Sequence, residues 1–568
     1  MGDAKNETAG KAWYFFHDGV QHGPFDDEEL CRAADEGRLK PSDEVWRPDL
    51  KVPVAALHIK GLFPEGATPE KTAATEPLGK PRKSPPAPPA ANPATAFRAS
   101  VSKSGSIVCP YCWHSFDPQD FLFIAGHESL RGDPVLGEGE SLRFAPTRFT
   151  PDGHAIDDGG VRCPDRACPH CHMRFPENLL GLKPLFVSMI GASGSGKSYL
   201  LACMTWKMRS TLHEHFDISF TDADPSINTW LHEYERILFM QANRQKLQFI
   251  RKTQAVADER HYRDVIIDGM HVLLAMPSMF SLQSDGFQGP GGESRAPVCR
   301  TLVMYDNAGE QFQPTFDHAN SPGTRHLLHS EALLFLFDPT MDVGFRSTLT
   351  GDDIQLKLEK KVDRQDIYFT ETINRIRKNL GLDPRERYNR PVVVVVSKAD
   401  VLGEEMRAHI AHNPWAWNEA AQADALDHNV LLPVSFATRA LLKQHAPEAV
   451  NAVESFASNV LYVPVSALGH SPTFDRKSSE LSIRPADIKP CWAEVPLLCV
   501  LHALGYVSRV LRRDESHPAP EHFRVQDGMF HFTVPGTDER VRLPVSHAGA
   551  SLRDPKTGRW FRVPDLKP

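Results

Sequence analysis

The sequence has no apolar run long enough to cross a bilayer. Its longest near the C-terminus, "VPLLCVLHALGYV", covers about a dozen residues where about twenty are needed, and reads as a buried helix. The start, "MGDAKNETAGKAWYFF", lacks a basic segment followed by an apolar one, so no secretory leader is expected and a cytosolic location is. A basic surplus is missing as well: 64 Lys and Arg stand against 72 Asp and Glu, a formal charge of −8. Such a balance leaves no overall electrostatic footprint for nucleic acid or an anionic membrane. Cysteine is sparse, ten in 568 residues, which in a cytosolic chain points to thiols or metal sites more than to a disulfide framework. No internal repeat is present. What remains, 41% hydrophobic and 24% charged residues, is the composition of an ordinary globular protein long enough for three or four domains.

Residues 64–105 centre on "PRKSPPAPPAANPATA" and hold too little apolar material to order themselves, so they read as a linker. Before them, residues 11–63 form a compact block: a short aromatic strand, a glycine turn, a second turn at Gly23-Pro24-Phe25, and a helix entered at Asp26 or Asp27. Residues 513–568 alternate apolar and polar positions between glycine turns, as in "FRVQDGMFHFTV" and "GRWFRVP", and read as a small antiparallel sheet without an assigned function.

Between 106 and 180 lie "CPYC" and "CPDRACPHC". Cys109, Cys112, Cys168 and Cys171 make two C-x-x-C knuckles, the four soft thiolates that tetrahedral structural zinc takes. The 55 residues between the knuckles exceed the usual spacing of about 15–20, so the insert is expected to loop out from the metal core. Cys163 is spare, and His114, His170 and His172 are alternative ligands. A redox C-x-x-C would need a surrounding βαβ pattern that is not there.

Residues 181–512 alternate strand and helix patterns, an α/β domain with a mostly parallel sheet. After the apolar "PLFVSMI", Gly191, Ala192, Ser193, Gly194, Ser195, Gly196, Lys197 and Ser198 complete G-x-x-x-x-G-K-[ST] and, past Tyr199, which counts with them as a candidate nucleotide contact, lead into the helix-like "LACMTWKM". Glycines there let backbone N–H groups turn inward around phosphate, Lys197 would reach the β- and γ-phosphates, and Ser198 would hold magnesium. Further motifs follow at strand ends: Asp306-Asn307-Ala308-Gly309 after "TLVMY", Ser397-Lys398-Ala399-Asp400 after five valines, and Ser466-Ala467-Leu468 after "LYVPV". The valine run reads as a buried parallel strand.

This series of phosphate loop, D-x-x-G, [NT]-K-x-D and S-A-x resembles the GTPase division of P-loop proteins, the translation-factor and Ras-like class, across roughly residues 184–512. The resemblance implies GTP/GDP and Mg2+ as ligands. Ser198 and Asp306 would then hold the metal, the Gly309 N–H would meet the γ-phosphate, and Asp400 would accept from guanine N1 and N2. Lys398 would pack along the base, and the Ala467 backbone would meet the guanine oxygen. Ser397 departs from the usual Asn or Thr. The knuckles leading into "CPHCHMRFPENLLG" and on to the phosphate loop look like the double-GTPase group linked to bacterial conflict and defence systems. The N-terminal block resembles the bacterial form of the GYF domain through Trp13, Tyr14, Gly19, Gly23-Pro24-Phe25, Leu30 and Trp46. That resemblance implies a proline-rich peptide in an aromatic groove formed by Trp13, Tyr14, Phe25 and Trp46, while the same aromatics also suit a small core.

Two departures bear on mechanism. Ser198 and Asp306 are 108 residues apart, so an insertion occupies the region where a magnesium-binding threonine is expected, and Thr253 in "QFIRKTQ" is the candidate. Glu310 stands where Ras-like proteins carry the water-orienting glutamine, with Gln311 beside it. A slowly hydrolysing GTP switch is therefore expected. Two other classes compete: a P-loop ATPase, for which Asp338 in "ALLFLFDPT" would be a rival magnesium ligand unless it caps the turn at Pro339, and a non-catalytic scaffold built on a nucleotide-binding platform.

Overall fold

A computed structural model describes residues 13–17, 20–35, 39–40, 44–47, 54–56, 59 and 62, and then residues 106–251, 260–288, 294–307, 309–312, 325–349, 354–357, 363–476 and 480–566. The chain divides into two compact units, Met1–Pro89 and Ala90–Pro568. The 64–105 linker, Thr253 and the side chains of Glu310 and Trp46 lie outside the described residues.

In the smaller unit, strand Trp13–His17 pairs antiparallel with Val20–Phe25 on one side and Glu44–Trp46 on the other. Helix Asp27–Asp35 starts with a reciprocal cap, in which Glu29 N donates to Asp26 Oδ1 (2.8 Å) and Asp26 N to Glu29 Oε2 (3.0 Å). Trp13 and Phe15 are buried with Leu30, Ala33 and Val45, so Trp13 does core work. Tyr14 and Phe25 are half-buried, and Arg47 stacks over the Trp13 ring at 4.5 Å.

The larger unit is organised by a seven-stranded sheet. Its strands in chain order are β1 (Lys183–Gly191), β2 (Ser219–Asp222), β3 (Pro277–Ser284), β4 (Val298–Tyr305), β5 (Ala332–Phe337), β6 (Val392–Val396) and β7 (Val460–Pro464), arranged β2-β3-β4-β1-β5-β6-β7. The five strands from β4 to β7 are mutually parallel, and β3 and β2 extend the sheet antiparallel. Successive side chains of a strand point to opposite faces, so the five valines of β6 divide between two cores. Val393 and Val395 pack with α1 (Lys197–Phe216) and α5 (Val495–Ala503), while Val392, Val394 and Val396 pack with α2 (Gln365–Leu380) and α4 (Pro447–Phe456). Helices on both faces explain a strand with no polar position. The apolar stretch near the C-terminus is α5, buried at nearly every residue.

The two knuckles are short hairpins, Ile107–Val108 with Ser115–Phe116 and Arg166–Ala167 with Arg174–Phe175. The intervening insert does not simply loop out. Its strand Leu122–Ile124 pairs with Arg166–Ala167, making one sheet of both parts, because apolar Phe121 and Phe123 need the cover that Phe175 and Met173 provide.

The C-terminal strands Phe523–Gln526, Met529–Thr533 and Arg540–Pro544 form an antiparallel sheet, and Phe530, Phe532 and Phe561 bury against Leu432 and Phe436 of α3 (His428–His445). Two histidines are buried near this junction. Burial, with His502 nearby, pushes His428 down to about 2, and burial, with Arg439 nearby, pushes His547 down to about 4, against an ordinary 6.5. Both are neutral when folded, and the unfolded chain binds their protons below pH 6.5. Stability is therefore complete above pH 6.5 and falls as the pH drops toward 4, by up to about 1.4 kcal/mol per pH unit per histidine. Thermal melts across that window are expected to show the decline, and a flat melting temperature would contradict the burial of these rings.

Candidate functional site

The turn between β1 and α1 has the backbone that its glycines permit. Gly194 (φ 83°) and Gly196 (φ 95°) are left-handed, a region that costs a side chain strain. Lys197 is buried and its Nζ donates to the carbonyls of Gly191 (2.8 Å) and Ala192 (2.9 Å), folding over the loop it would share with a phosphate. The Ser195 hydroxyl is buried in the same turn without a protein partner among the described residues. Ser198 Oγ donates to Asp306 Oδ2 at 2.6 Å, across 108 residues of chain. A hydroxyl beside a buried carboxylate is an oxygen donor set that suits Mg2+. Gly309 lies so close to the turn that a methyl group on it would collide with Ser193 N and the Ala192 carbonyl carbon. Only glycine allows this approach, which brings the segment after Asp306 against the phosphate loop.

The second half of the site comes from the ends of β6 and β7. Ser397, in place of Asn or Thr, donates through Oγ to the Ser195 carbonyl (2.9 Å) and so ties the end of β6 to the phosphate loop. Asp400 is buried, with Oδ1 accepting from Ser466 Oγ (2.6 Å) and Oδ2 from Ser471 Oγ (3.3 Å). Gly469 N in turn donates to Ser466 Oγ (2.9 Å). One cavity joins the two halves: Gly194, Ser195, Gly196 and Tyr199 line it on one side, and Ser397, Lys398, Asp400, Ser466, Ala467 and Leu468 on the other. Leu481 and Ile483 add apolar wall. Burial pushes the Tyr199 phenol up to about 12, so it stays protonated, and its oxygen accepts from Ile250 N (2.9 Å).

Several features were not anticipated. Lys398, expected along a base, has its ammonium held by Asp338 Oδ2 (2.5 Å) and Thr340 Oγ1 (3.2 Å). Asp338 does cap its turn, since Oδ1 accepts from Thr340 N and Oγ1 (2.8 and 2.7 Å). With both oxygens engaged, it does not stand as a rival metal ligand. The insertion after α1 reaches the cavity, because Gln248 and Ile483 exchange backbone hydrogen bonds (2.8 and 2.7 Å). Gln355 and His470 also line the cavity, with no motif to announce them. Gln311 is buried, and its backbone carbonyl accepts from Arg375 Nη1 of α2 (2.7 Å), while its side-chain Oε1 has no partner among the described residues.

The four knuckle sulfurs of Cys109, Cys112, Cys168 and Cys171 lie within 4.8 Å of one another, with closest pairs at 3.7 and 3.8 Å. Zinc at its usual bond length of about 2.3 Å sets sulfurs about 3.8 Å apart in a tetrahedron, so the cluster fits that ion. Trp113 (φ 57°) and His172 (φ 58°) occupy equivalent left-handed positions in the two knuckles. Backbone Tyr111 N and His170 N each point at a sulfur (3.4 Å). Burial raises the Cys109 and Cys171 thiols well above their ordinary value, so a neighbouring dication is needed to hold all four as thiolates. Cys163 instead faces the Asp157 carboxylate (3.6 Å), His172 pairs with Asp133 (2.8 Å), and His114 stacks on His170 (4.5 Å). The first knuckle also touches the nucleotide half: Tyr305 OH donates to the Pro110 carbonyl (2.6 Å) and accepts from Trp113 Nε1 (3.2 Å). Tyr305 immediately precedes Asp306 and stacks on His326, whose Nε2 meets Asn307 Nδ2 at 2.5 Å.

Comparison with known proteins agrees with this layout. Residues 13–56 match the family model of GYF domain 2, and residues 294–448 match that of Double-GTPase 2. The latter match includes Asp306, Gly309, Ser397, Lys398 and Asp400 and begins after the phosphate loop. Among curated proteins, the candidate ESX-1 scaffolding and assembly protein SaeC of Mycolicibacterium smegmatis is 26% identical over 326 residues, 54% of this chain and 74% of that protein. Among solved structures, the signal recognition particle receptor SRb-GTP/SRX complex from Chaetomium thermophilum is 15% identical, with 52% of this chain and 96% of that chain covered (TM-score 0.19). The S. cerevisiae Ski7 GTPase-like domain bound to GDP and inorganic phosphate is 12% identical, covering 61% of this chain and 56% of that one (TM-score 0.23). Within the larger unit, residues 294–448 are therefore similar to the Double-GTPase 2 family, and within the smaller unit residues 13–56 are similar to GYF domain 2.

Proposed function

We propose that the protein is a guanine-nucleotide switch whose GTP- and GDP-bound states govern assembly with protein partners. The observation that carries this reading is the single cavity shared by the phosphate loop and Asp400. A buried carboxylate there offers two acceptors to the N1–H and N2–H of guanine and none of the donors adenine N1 needs. Ser198 and Asp306 would hold Mg2+, which supplies charge neutralisation at the β- and γ-phosphates. Lys197 would move from the loop carbonyls to those phosphates, and the N–H of Gly309 is the group placed to report the presence of the terminal phosphate. Lys197, Glu310 and Gln311 remain the candidates for hydrolysis. Arg375 holds the backbone carbonyl of buried Gln311 and not its side-chain amide, and slow turnover is expected from Glu310 standing in place of the water-orienting glutamine.

The zinc knuckles act as a structural brace for β4, the strand that ends at Tyr305 just before Asp306. Tyr14, Phe25 and Trp46 are the residues we assign to a proline-rich peptide, together with Trp13, which is buried in the core. Between the bacterial settings, the relative named for scaffolding and assembly favours a role in building a multiprotein machine over one in conflict or defence systems. Equilibrium titration of fluorescent GDP, GTP and ATP against the full chain, with Lys197→Ala as the control, tests the reading. Guanine nucleotides are expected to bind and ATP to be excluded. A preference for ATP, or binding unaffected by Lys197→Ala, would overturn it.

A further inference from the structure

The buried pair between Asp338 and Lys398 is not accounted for by phosphate or magnesium binding. Asp338 follows β5, and its side chain has no exposure to solvent, while that of Lys398 is 17% exposed and lines the cavity. Lys398 Nζ and Asp338 Oδ2 are in direct contact, a charge-assisted hydrogen bond between cation and carboxylate. The carboxylate is itself immobilised. Its other oxygen accepts twice from Thr340, and its backbone N and O are both bonded to the side chain of Gln365 on α2 (2.8 and 2.8 Å). Lys398 also has a left-handed backbone (φ 53°), which sets the direction in which its side chain leaves the chain. An isolated turn cap needs neither the lysine nor the Gln365 clamp.

We infer that Asp338 is a positioning residue for base recognition: it anchors the Lys398 ammonium so that the lysine's four-carbon stem forms a fixed wall of the base half of the cavity. A lysine stem presents apolar surface while its charge is satisfied at the tip. A free lysine would have to surrender its rotamer freedom each time a base docked against it. The anchor removes that cost before binding and satisfies the charge at Asp338 and Thr340. This inference rests on the guanine-nucleotide reading of the same cavity.

The test compares the wild-type chain with Asp338→Asn, which keeps a carboxamide oxygen as acceptor but removes the counter-charge of Lys398, and with Asp338→Asn/Lys398→Met, which removes the unpaired ammonium as well. GDP, ADP and inorganic tripolyphosphate are titrated against each. Asp338→Asn is expected to weaken GDP roughly tenfold, the scale of one hydrogen bond to a charged group, and to leave tripolyphosphate, which has no base, unchanged. The double variant is expected to bind GDP as the single one does, because a released lysine contributes nothing further. Equal weakening of GDP and tripolyphosphate would mean a merely structural role, and wild-type GDP affinity in Asp338→Asn, or a further tenfold loss in the double variant, would equally overturn the inference. The guanine reading is judged separately, by whether the wild type prefers GDP to ADP.

Discussion

Asp400→Asn is expected to abolish the preference for guanine. The wild-type carboxylate is buried, accepts from Ser466 on one oxygen and Ser471 on the other, and lines the cavity. On the proposed reading, guanine would supply two donors to it, N1–H and N2–H. An asparagine keeps one acceptor but replaces the other with an NH2 donor, which meets the guanine amine donor to donor. Leaving such groups unpaired in a buried site costs about 1–3 kcal/mol each, so GDP affinity should fall by roughly one to two orders of magnitude. The same donor matches the C2 carbonyl of xanthine, so xanthosine diphosphate should gain affinity in the variant. Competition titrations of GDP, XDP and ADP on both proteins read this directly. Unchanged GDP binding in Asp400→Asn would remove the carboxylate from base selection and with it the guanine-specific reading.

Loss of the metal from the knuckles should be the largest effect on stability. Structural zinc contributes apparent binding free energies of about 10–16 kcal/mol in small domains, comparable with the whole stability of a typical folded domain. A chelator that strips the ion, or Cys168→Ser, is expected to lower the melting temperature and to expose residues 106–180 to protease. The effect should extend to the nucleotide site. The Tyr305 hydroxyl is held by the Pro110 carbonyl and the Trp113 indole of the first knuckle, and the next residue is Asp306. A loosened knuckle leaves the end of β4 without those partners, so GDP affinity measured in Mg2+ should fall with the metal. Elemental analysis of the native protein should find one zinc per chain. A metal-free chain with an unaltered melt and unaltered GDP affinity would contradict both the ion and the brace.

The motifs were readable because each is made by neighbours in the chain. The phosphate turn needs glycine at the two left-handed positions, the knuckles need their C-x-x-C spacing, and the valine run needs cover on both faces. The Gly309 approach was expected as part of D-x-x-G, though its contact with Ser193 was not visible in one dimension. The insertion between α1 and β4 hid its content differently. Its hairpin, Tyr262–Ile267 with Met270–Ala275, turns at Asp268-Gly269, an ordinary hairpin signal, but its pairing with Ile483 depends on a distant loop. Trp13 shows the limit in the other direction: aromatic residues suit a groove and a core equally, and burial assigned this one to the core.

Sequence alone therefore determined the local chemistry of this protein: a phosphate-binding turn, a carboxylate after a buried strand, four thiols in two knuckles, and an α/β domain to carry them. Tertiary structure decided which of these groups meet. Ser397 with Ser195 spans 202 residues, Trp113 with Tyr305 spans 192, and Lys398 with Asp338 spans 60. Backbone geometry and turn preference act over a few residues and leave their mark in adjacent letters. Contacts across tens to hundreds of residues arise only when strands take their order in the sheet, and that order is set by the burial of whole faces.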